Sequence, residues 1–177
     1  MFKLNAAQLR TTKVDPEKYK RLKKNPIFII LDNVYDTYNI GSIFRLADAA
    51  AVEELIIAGE SEVPPNSRIK KASINTTEWV RWRYEESAAF AIKNLRSRVK
   101  NLKVVAIEQT PKSIPYTKMK WEFPVALVVG NESRGVSAET LKEVDQVVEI
   151  PMFGVNISLN VMVSLAIVLY KVIENIL

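Results

Sequence analysis

Pro26-Ile27-Phe28-Ile29-Ile30-Leu31 is the stretch on which the fold turns. An apolar run this short, apolar at every position and entered through a proline, has strand length. It alternates with nothing polar, so both of its faces must be covered, as in a parallel sheet between layers of helix. Outward from it the pattern repeats. Asn39 opens a helical segment with Ile40, Ile43, Phe44, Ala47 and Ala50 at helical spacing. Strands are expected at 55–58, 79–84, 102–107, 125–129 and 147–150. Helices are expected at 67–73, 85–100, from a Ser137 cap (with Thr140 three residues on) to about 144, and from Ser158 to about Asn175. Residues 110–124, with three prolines, read as irregular. The fold class is therefore α/β, a mostly parallel sheet with helices on both faces.

Composition closes off much chemistry. Cys and His are both absent, so disulfides, thiolate nucleophiles, cysteine-ligated zinc and every Ser-His-Asp arrangement are excluded. No metal site is expected. The longest oily run, 161–170, is broken by Ser164 and is far short of the ~20 residues a membrane span needs; the expectation is a cytoplasmic protein with no membrane partner. Charge is uneven: the chain carries +5 overall, and eight of its basic residues lie in the first 24 positions against Asp15 and Glu17. This divides the chain into a basic N-terminal extension, 1–25, and a single domain, 26–177. Lys13, Lys20, Arg21, Lys23 and Lys24 are the candidates for contact with a polyanion, the other reading being a solvated helix.

Three polar islands interrupt the pattern. The first is Asn39-Ile40-Gly41 through Arg45, and the second is Gly130-Asn131-Glu132-Ser133-Arg134-Gly135 at the end of a strand. The third runs from Ile150 to Asn160 (IPMFGVNISLN), where Pro151 and Gly154 force a turn and Ser158 and Asn160 stand at the threshold of an oily helix. Four of the five glycines fall in these islands; such residues either shape turns or let a ligand approach the backbone. Asn39 and Ser158 read equally as helix caps or site residues. No GxGxxG follows a strand and no GxxxxGK[ST] occurs.

Together, N-x-G-x-x-x-R, strand-G-x-E-x-x-G and IPM-x-G…SLNV resemble the three motifs of the SpoU/TrmH family of RNA 2′-O-ribose methyltransferases in the SPOUT superfamily. The similarity covers about residues 25–177. It implies a C-terminal deep trefoil knot, S-adenosyl-L-methionine as cofactor, an RNA substrate (tRNA favoured, rRNA the alternative) and a homodimer. It assigns the catalytic set to Arg45, Asn39, Glu132, Ser158 and Asn160, and the cofactor slot to Val129, Gly130, Ile150, Met152 and Leu159. By the resemblance Arg45 is the base; a guanidinium has five donors and no acceptor, so steadying a developing alkoxide is the other reading. Glu132 is expected to orient Arg45 or its neighbouring loop. The last helix, apolar nearly all round, must be covered on every side. Two other classes are an inactive knotted RNA-binding protein, which the complete polar set disfavours, and a methyltransferase acting on a base nitrogen, which N-x-G-x-x-x-R disfavours.

Overall fold

The computed structural model describes residues 3–176; the first two residues of the expected extension and Leu177 lie outside it. Seven strands form one all-parallel sheet: β1 (Asn25–Asp32), β2 (Val52–Ala58), β3 (Trp82–Glu85), β4 (Lys103–Ile107), β5 (Ile114–Pro115), β6 (Val125–Gly130) and β7 (Gln146–Glu149). Their order across the sheet is β3-β2-β1-β6-β4-β7-β5. The 27–31 run is in the middle, with Ile29 in register with Leu55 on one side and Leu127 on the other. Its alternate residues enter different cores. Ile27, Ile29 and Leu31 join one cluster, Phe28 and Ile30 the other, which is why no polar residue interrupts it. Each fully buried Ile or Leu there contributes about 1.5–3 kcal/mol before chain entropy is charged against it.

On the first face lie α3 (Thr37–Ala49), α4 (Ser67–Ser73) and α7 (Val161–Ile173); on the second lie α5 (Ala88–Arg98) and the short α6 (Ala138–Leu141). Boundaries differ from the sequence reading for local reasons. Asp36, not Asn39, caps α3, accepting from the backbone of Tyr38 and Asn39. Asn160, not Ser158, caps α7, its side chain accepting from Met162 and Val163. The 67–73 helix is as expected, but Ile74 and Asn75 adopt left-handed backbone after it, and a 3-10 turn at Thr76–Glu78 delays the next strand to Trp82. Ser87 caps α5, which begins at Ala88 rather than 85. Ser137 caps α6 as expected, yet that helix is four residues long.

Ahead of the sheet, α1 (Ala6–Thr11) and α2 (Pro16–Lys20) form the N-terminal arm. It is docked rather than free: Asn75 Nδ2 donates to the Leu9 carbonyl at 3.1 Å, and Lys24 Nζ stands 5.4 Å from the Tyr19 ring centroid. At the other end of the chain, α7 packs on α3, β6 and β4 although β7 lies beyond them. Residues 150–160 therefore carry the chain back across the carboxyl edge of the sheet. Winding also reverses at β1/β6, the place in an open α/β sheet where ligand crevices form.

Candidate active site

At that reversal Asp32 ends β1 and Gly130, its register partner, ends β6. Asp32 is buried, and its carboxylate accepts from the Ser137 backbone at 2.8 Å and hydroxyl at 2.7 Å. The chain leaving Gly130 folds back on itself through reciprocal Asn131–Gly135 backbone bonds of 3.0 and 2.9 Å. Gly135 needs its left-handed φ of 68°, and a Cβ on Gly130 would stand 2.1 Å from the Gly135 carbonyl carbon. Gly130 thus admits the protein's own backbone and Gly135 the Glu108 carboxylate, and Gly41 admits α4, where its Cβ would meet Ala72 at 2.6 Å. Glu108 completes the fold-back by accepting from the Val136 backbone at 2.9 Å.

A single polar chain joins the three islands. Asn39 Nδ2 donates to Glu132 at 3.1 Å, and Asn160 Nδ2 donates to Asn39 Oδ1 at 2.9 Å. Glu132 also accepts from the Tyr35 and Asp36 backbone at 3.2 and 3.0 Å. Partial burial would raise this carboxyl, but the bonds from Asn39 and from backbone N–H groups outweigh it and hold it below the usual carboxylate value. Glu132 thus fastens the loop after β6 to the first turn of α3. Asn39, buried within that turn, and Asn160, the cap of α7, extend the fastening to the third island.

Arg45 is not in the chain. It lies six residues beyond Asn39, about 9 Å along the helix axis, on the exposed face that also carries Tyr38. It makes no hydrogen bond or ion pair among the described residues, and Asp48, three positions further along the helix, lies in the field of Lys24. Ser158 is exposed, and only its backbone is engaged, donating to Asn156 at 3.2 Å. Of the expected cofactor slot, the Val129 side chain is buried in the core, leaving its backbone as its only contribution at the edge. Ile150 and Met152 are partly buried and Leu159 exposed. Residues 151–159 make no backbone–backbone hydrogen bond among the described residues. Apolar side chains beside unpaired backbone donors and acceptors suit a flat, heteroatom-rimmed ligand such as an adenosine.

In the arm, Lys13, Lys20, Arg21 and Lys23 are exposed. Lys24 departs from the expectation of a free phosphate contact: burial lowers its pKa, and it packs on Tyr19 within the fields of Asp48 and Glu53. It pins the arm near the far end of α3, a helix length of ~20 Å from Asp36.

Reading the sequence missed Asp36, Asp32, Glu108, Asn131 and Gln109. Asp36 stands three positions before Asn39, a cap signature. Asp32 and Glu108 are acids immediately at or after the ends of apolar strands, where the ligand edge of a parallel sheet lies. Gln109, whose Nε2 donates to the Ile157 carbonyl at 2.7 Å, carries no local signal.

The profile of the SpoU rRNA Methylase family matches residues 26–170. The chain belongs to this family. Among curated SpoU relatives it is 26% identical to the Escherichia coli tRNA (guanosine(18)-2′-O)-methyltransferase, over 89% of this chain and 70% of that one. It is 30% identical to the Haemophilus influenzae 23S rRNA (guanosine-2′-O-)-methyltransferase, over 86% of this chain and 61% of that protein. The crystal structure of an AdoMet-bound rRNA methyltransferase from Sinorhizobium meliloti superposes with a TM-score of 0.78 at 26% identity, covering 96% of this chain and 60% of that one. The chain spans about three fifths to seven tenths of these relatives' lengths.

Proposed function

We propose that the protein transfers a methyl group to a ribose 2′-hydroxyl of RNA, tRNA being the favoured substrate and rRNA the alternative. The observation that carries the reading is the Glu132–Asn39–Asn160 chain, which draws three islands far apart in sequence to one crevice at the β1/β6 reversal. Relatives named for tRNA and for rRNA 2′-O-methylation both support it; the tRNA enzyme is matched over more of its own length. Bound against Ile150, Met152 and Leu159, with the backbone of Val129 and Gly130 at its edge, S-adenosyl-L-methionine supplies an electrophilic methyl group. The Sinorhizobium relative's bound AdoMet supports that assignment.

The residues of this chain then divide the work. Glu132, Asn39 and Asn160 hold the crevice walls in register. The ribose 2′-oxygen would take the methyl group as its proton passes to solvent and the carbon–sulfur bond breaks to leave neutral S-adenosylhomocysteine, the guanidinium of Arg45 stabilising the negative charge that develops on the oxygen. Ser158, at the mouth of the crevice, is a further donor to the acceptor ribose. Arg45 reaches a crevice through a homodimer, either its own subunit's or the neighbour's. Support for the dimer is the uncovered apolar strip of Leu159, Val163, Tyr170 and Ile176 along and beyond α7. The proposal includes the deep trefoil knot, supported by the return of α7 across the sheet, and a cytoplasmic location, supported by relatives named for tRNA and rRNA methylation. Lys13, Lys20, Arg21 and Lys23 add a phosphate-binding surface on the arm.

The test is incubation with methyl-labelled cofactor and unfractionated tRNA or rRNA, followed by alkaline hydrolysis. Label is expected in alkali-resistant dinucleotides, because a methylated 2′-oxygen cannot attack the adjacent phosphodiester; label on bases alone would overturn the reading. Arg45→Ala is expected to retain cofactor binding and lose about 10²–10⁴ in rate, ~3–5 kcal/mol of barrier. Near-normal turnover would remove Arg45 from the chemistry.

A further inference from the structure

Beside the crevice, between the first turn of α3, the start of α4 and the 131–134 loop, lies an open basin of about 850 Å³. Glu132 lines this basin and accepts from Asn39. Two tyrosines line the basin, Tyr35 at 41% and Tyr38 at 51% exposure, and neither belongs to a core cluster. Tyrosines kept for packing would be covered. Tyr35 is held in place: its hydroxyl donates to Glu60 and its backbone N–H to Glu132. A half-open ring tethered at both ends is a stacking surface formed in advance, with little ordering entropy left to lose.

Charge around the rings points the same way. Of the three acids lining the basin, Asp36 is occupied in capping α3 and Glu132 is filled by its donors, while Glu62 is exposed and makes no hydrogen bond or ion pair among the described residues. Arg68 and Arg134 line it too, and their guanidinium groups make no hydrogen bond or ion pair among the described residues. Cationic surface continues from Arg68 along α4 through exposed Lys70 and Lys71 to Asn75, which is bonded to Leu9 of the arm. Planar ring faces between free guanidinium groups, at the head of a basic track, match an unpaired nucleotide of RNA.

Resting on the RNA reading above, we infer that this basin seats a nucleotide of the substrate, with Tyr35 and Tyr38 stacking on its base and Arg68 and Arg134 gripping flanking phosphates. The seat fixes which nucleotide presents its ribose to the crevice. Tyr35 and Tyr38 are then residues of substrate selection that leave the methyl-transfer groups untouched.

The experiment measures binding of a fluorescein-labelled, unstructured 15-nucleotide RNA by anisotropy over a salt series, without cofactor. Tyr38→Ala is expected to weaken binding about 5- to 100-fold with an unchanged salt slope, and Tyr38→Phe to retain affinity. Arg68→Ala and Arg134→Ala are each expected to lower the slope by about 0.7. Melting temperature and S-adenosylhomocysteine binding verify that each variant is folded, and Tyr35→Ala replaces Tyr38→Ala if the latter is not. Wild-type affinity in both tyrosine variants, a Tyr38→Phe as weak as Tyr38→Ala, or no binding by the unmodified protein overturns the inference. Because no methyl transfer is read, selective loss of binding in a protein that methylates only bases would sink the ribose reading and leave the basin standing.

Discussion

The two walls of the crevice are built on opposite plans. The wall after β6 is closed on itself by reciprocal Asn131–Gly135 bonds, braced by Glu108 and tied to α3 through every donor that Glu132 accepts. The opposing wall, residues 151–159, is secured from outside by Gln109 at Ile157, while Phe153 and Val155 stand 97% and 102% exposed. Polar satisfaction makes the first wall rigid before any ligand arrives. Apolar side chains in water and unpaired backbone groups leave the second to be ordered by what binds it, whether cofactor or second subunit. Ordering on binding costs affinity but couples the site to its partners.

This contrast can be broken most forcefully at Gly130. Gly130→Ala puts a methyl group into the backbone of Gly135 and Val136, and overpacking of this kind costs about 3 kcal/mol, seen as a melting temperature about 6–12 °C lower. A loss below ~1 kcal/mol would show that the first wall yields easily and that the two plans are not distinct.

Glu132→Gln should have a middle effect, about 1 kcal/mol at neutral pH, discounted because the carboxylate is solvent-accessible. Its pH dependence follows from the lowered folded-state pKa of Glu132. The stabilisation is fully present above the unfolded value near ~4.3 and is lost as pH falls through the lower folded value. The difference between wild type and variant in denaturant titrations should be flat from about pH 8 to pH 5 and close below about pH 4. A gap that widens in acid would contradict the bonding described for this carboxylate.

Gln109→Ala should be the mildest, changing unfolding free energy by ~0.5 kcal/mol or less, since it frees one exposed loop bond. S-adenosylhomocysteine affinity, in contrast, should fall several-fold by calorimetry, the looser wall having more freedom to lose. Equal losses of stability from Gln109→Ala and Glu132→Gln would erase the distinction between the walls.

Much was legible in the residues. The apolar runs announced the sheet, and helical spacing of Ile40, Ile43, Phe44 and Ala47 announced α3, because burial on one stripe or on two faces leaves a periodic trace. The motif islands named their polar members. Their roles were less legible. Asn39 and Ser158 read equally as caps or site residues, and it is Asp36 and Asn160 that do the capping. The sequence gives each such segment more than one polar residue near its start, and only the path of the chain chooses among them. Glu132 was expected to orient Arg45 or its neighbouring loop; its partners are Tyr35, Asp36 and Asn39, at and just before the start of α3.

What the amino-acid order determined alone was therefore everything carried by local period and residue chemistry: strand against helix, a mostly parallel buried sheet, the absence of thiol and imidazole chemistry, and the three islands. Tertiary structure alone decided that Asn39 bonds to both Glu132 and Asn160, that Lys24 lies in the field of Asp48, that the glycine at 41 admits α4 and the one at 135 admits Glu108, and that Gln109 holds the loop opposite. These depend on contacts between residues dozens of positions apart. Such contacts leave no period in the sequence, and they form only when burial of the sheet has fixed where each strand ends.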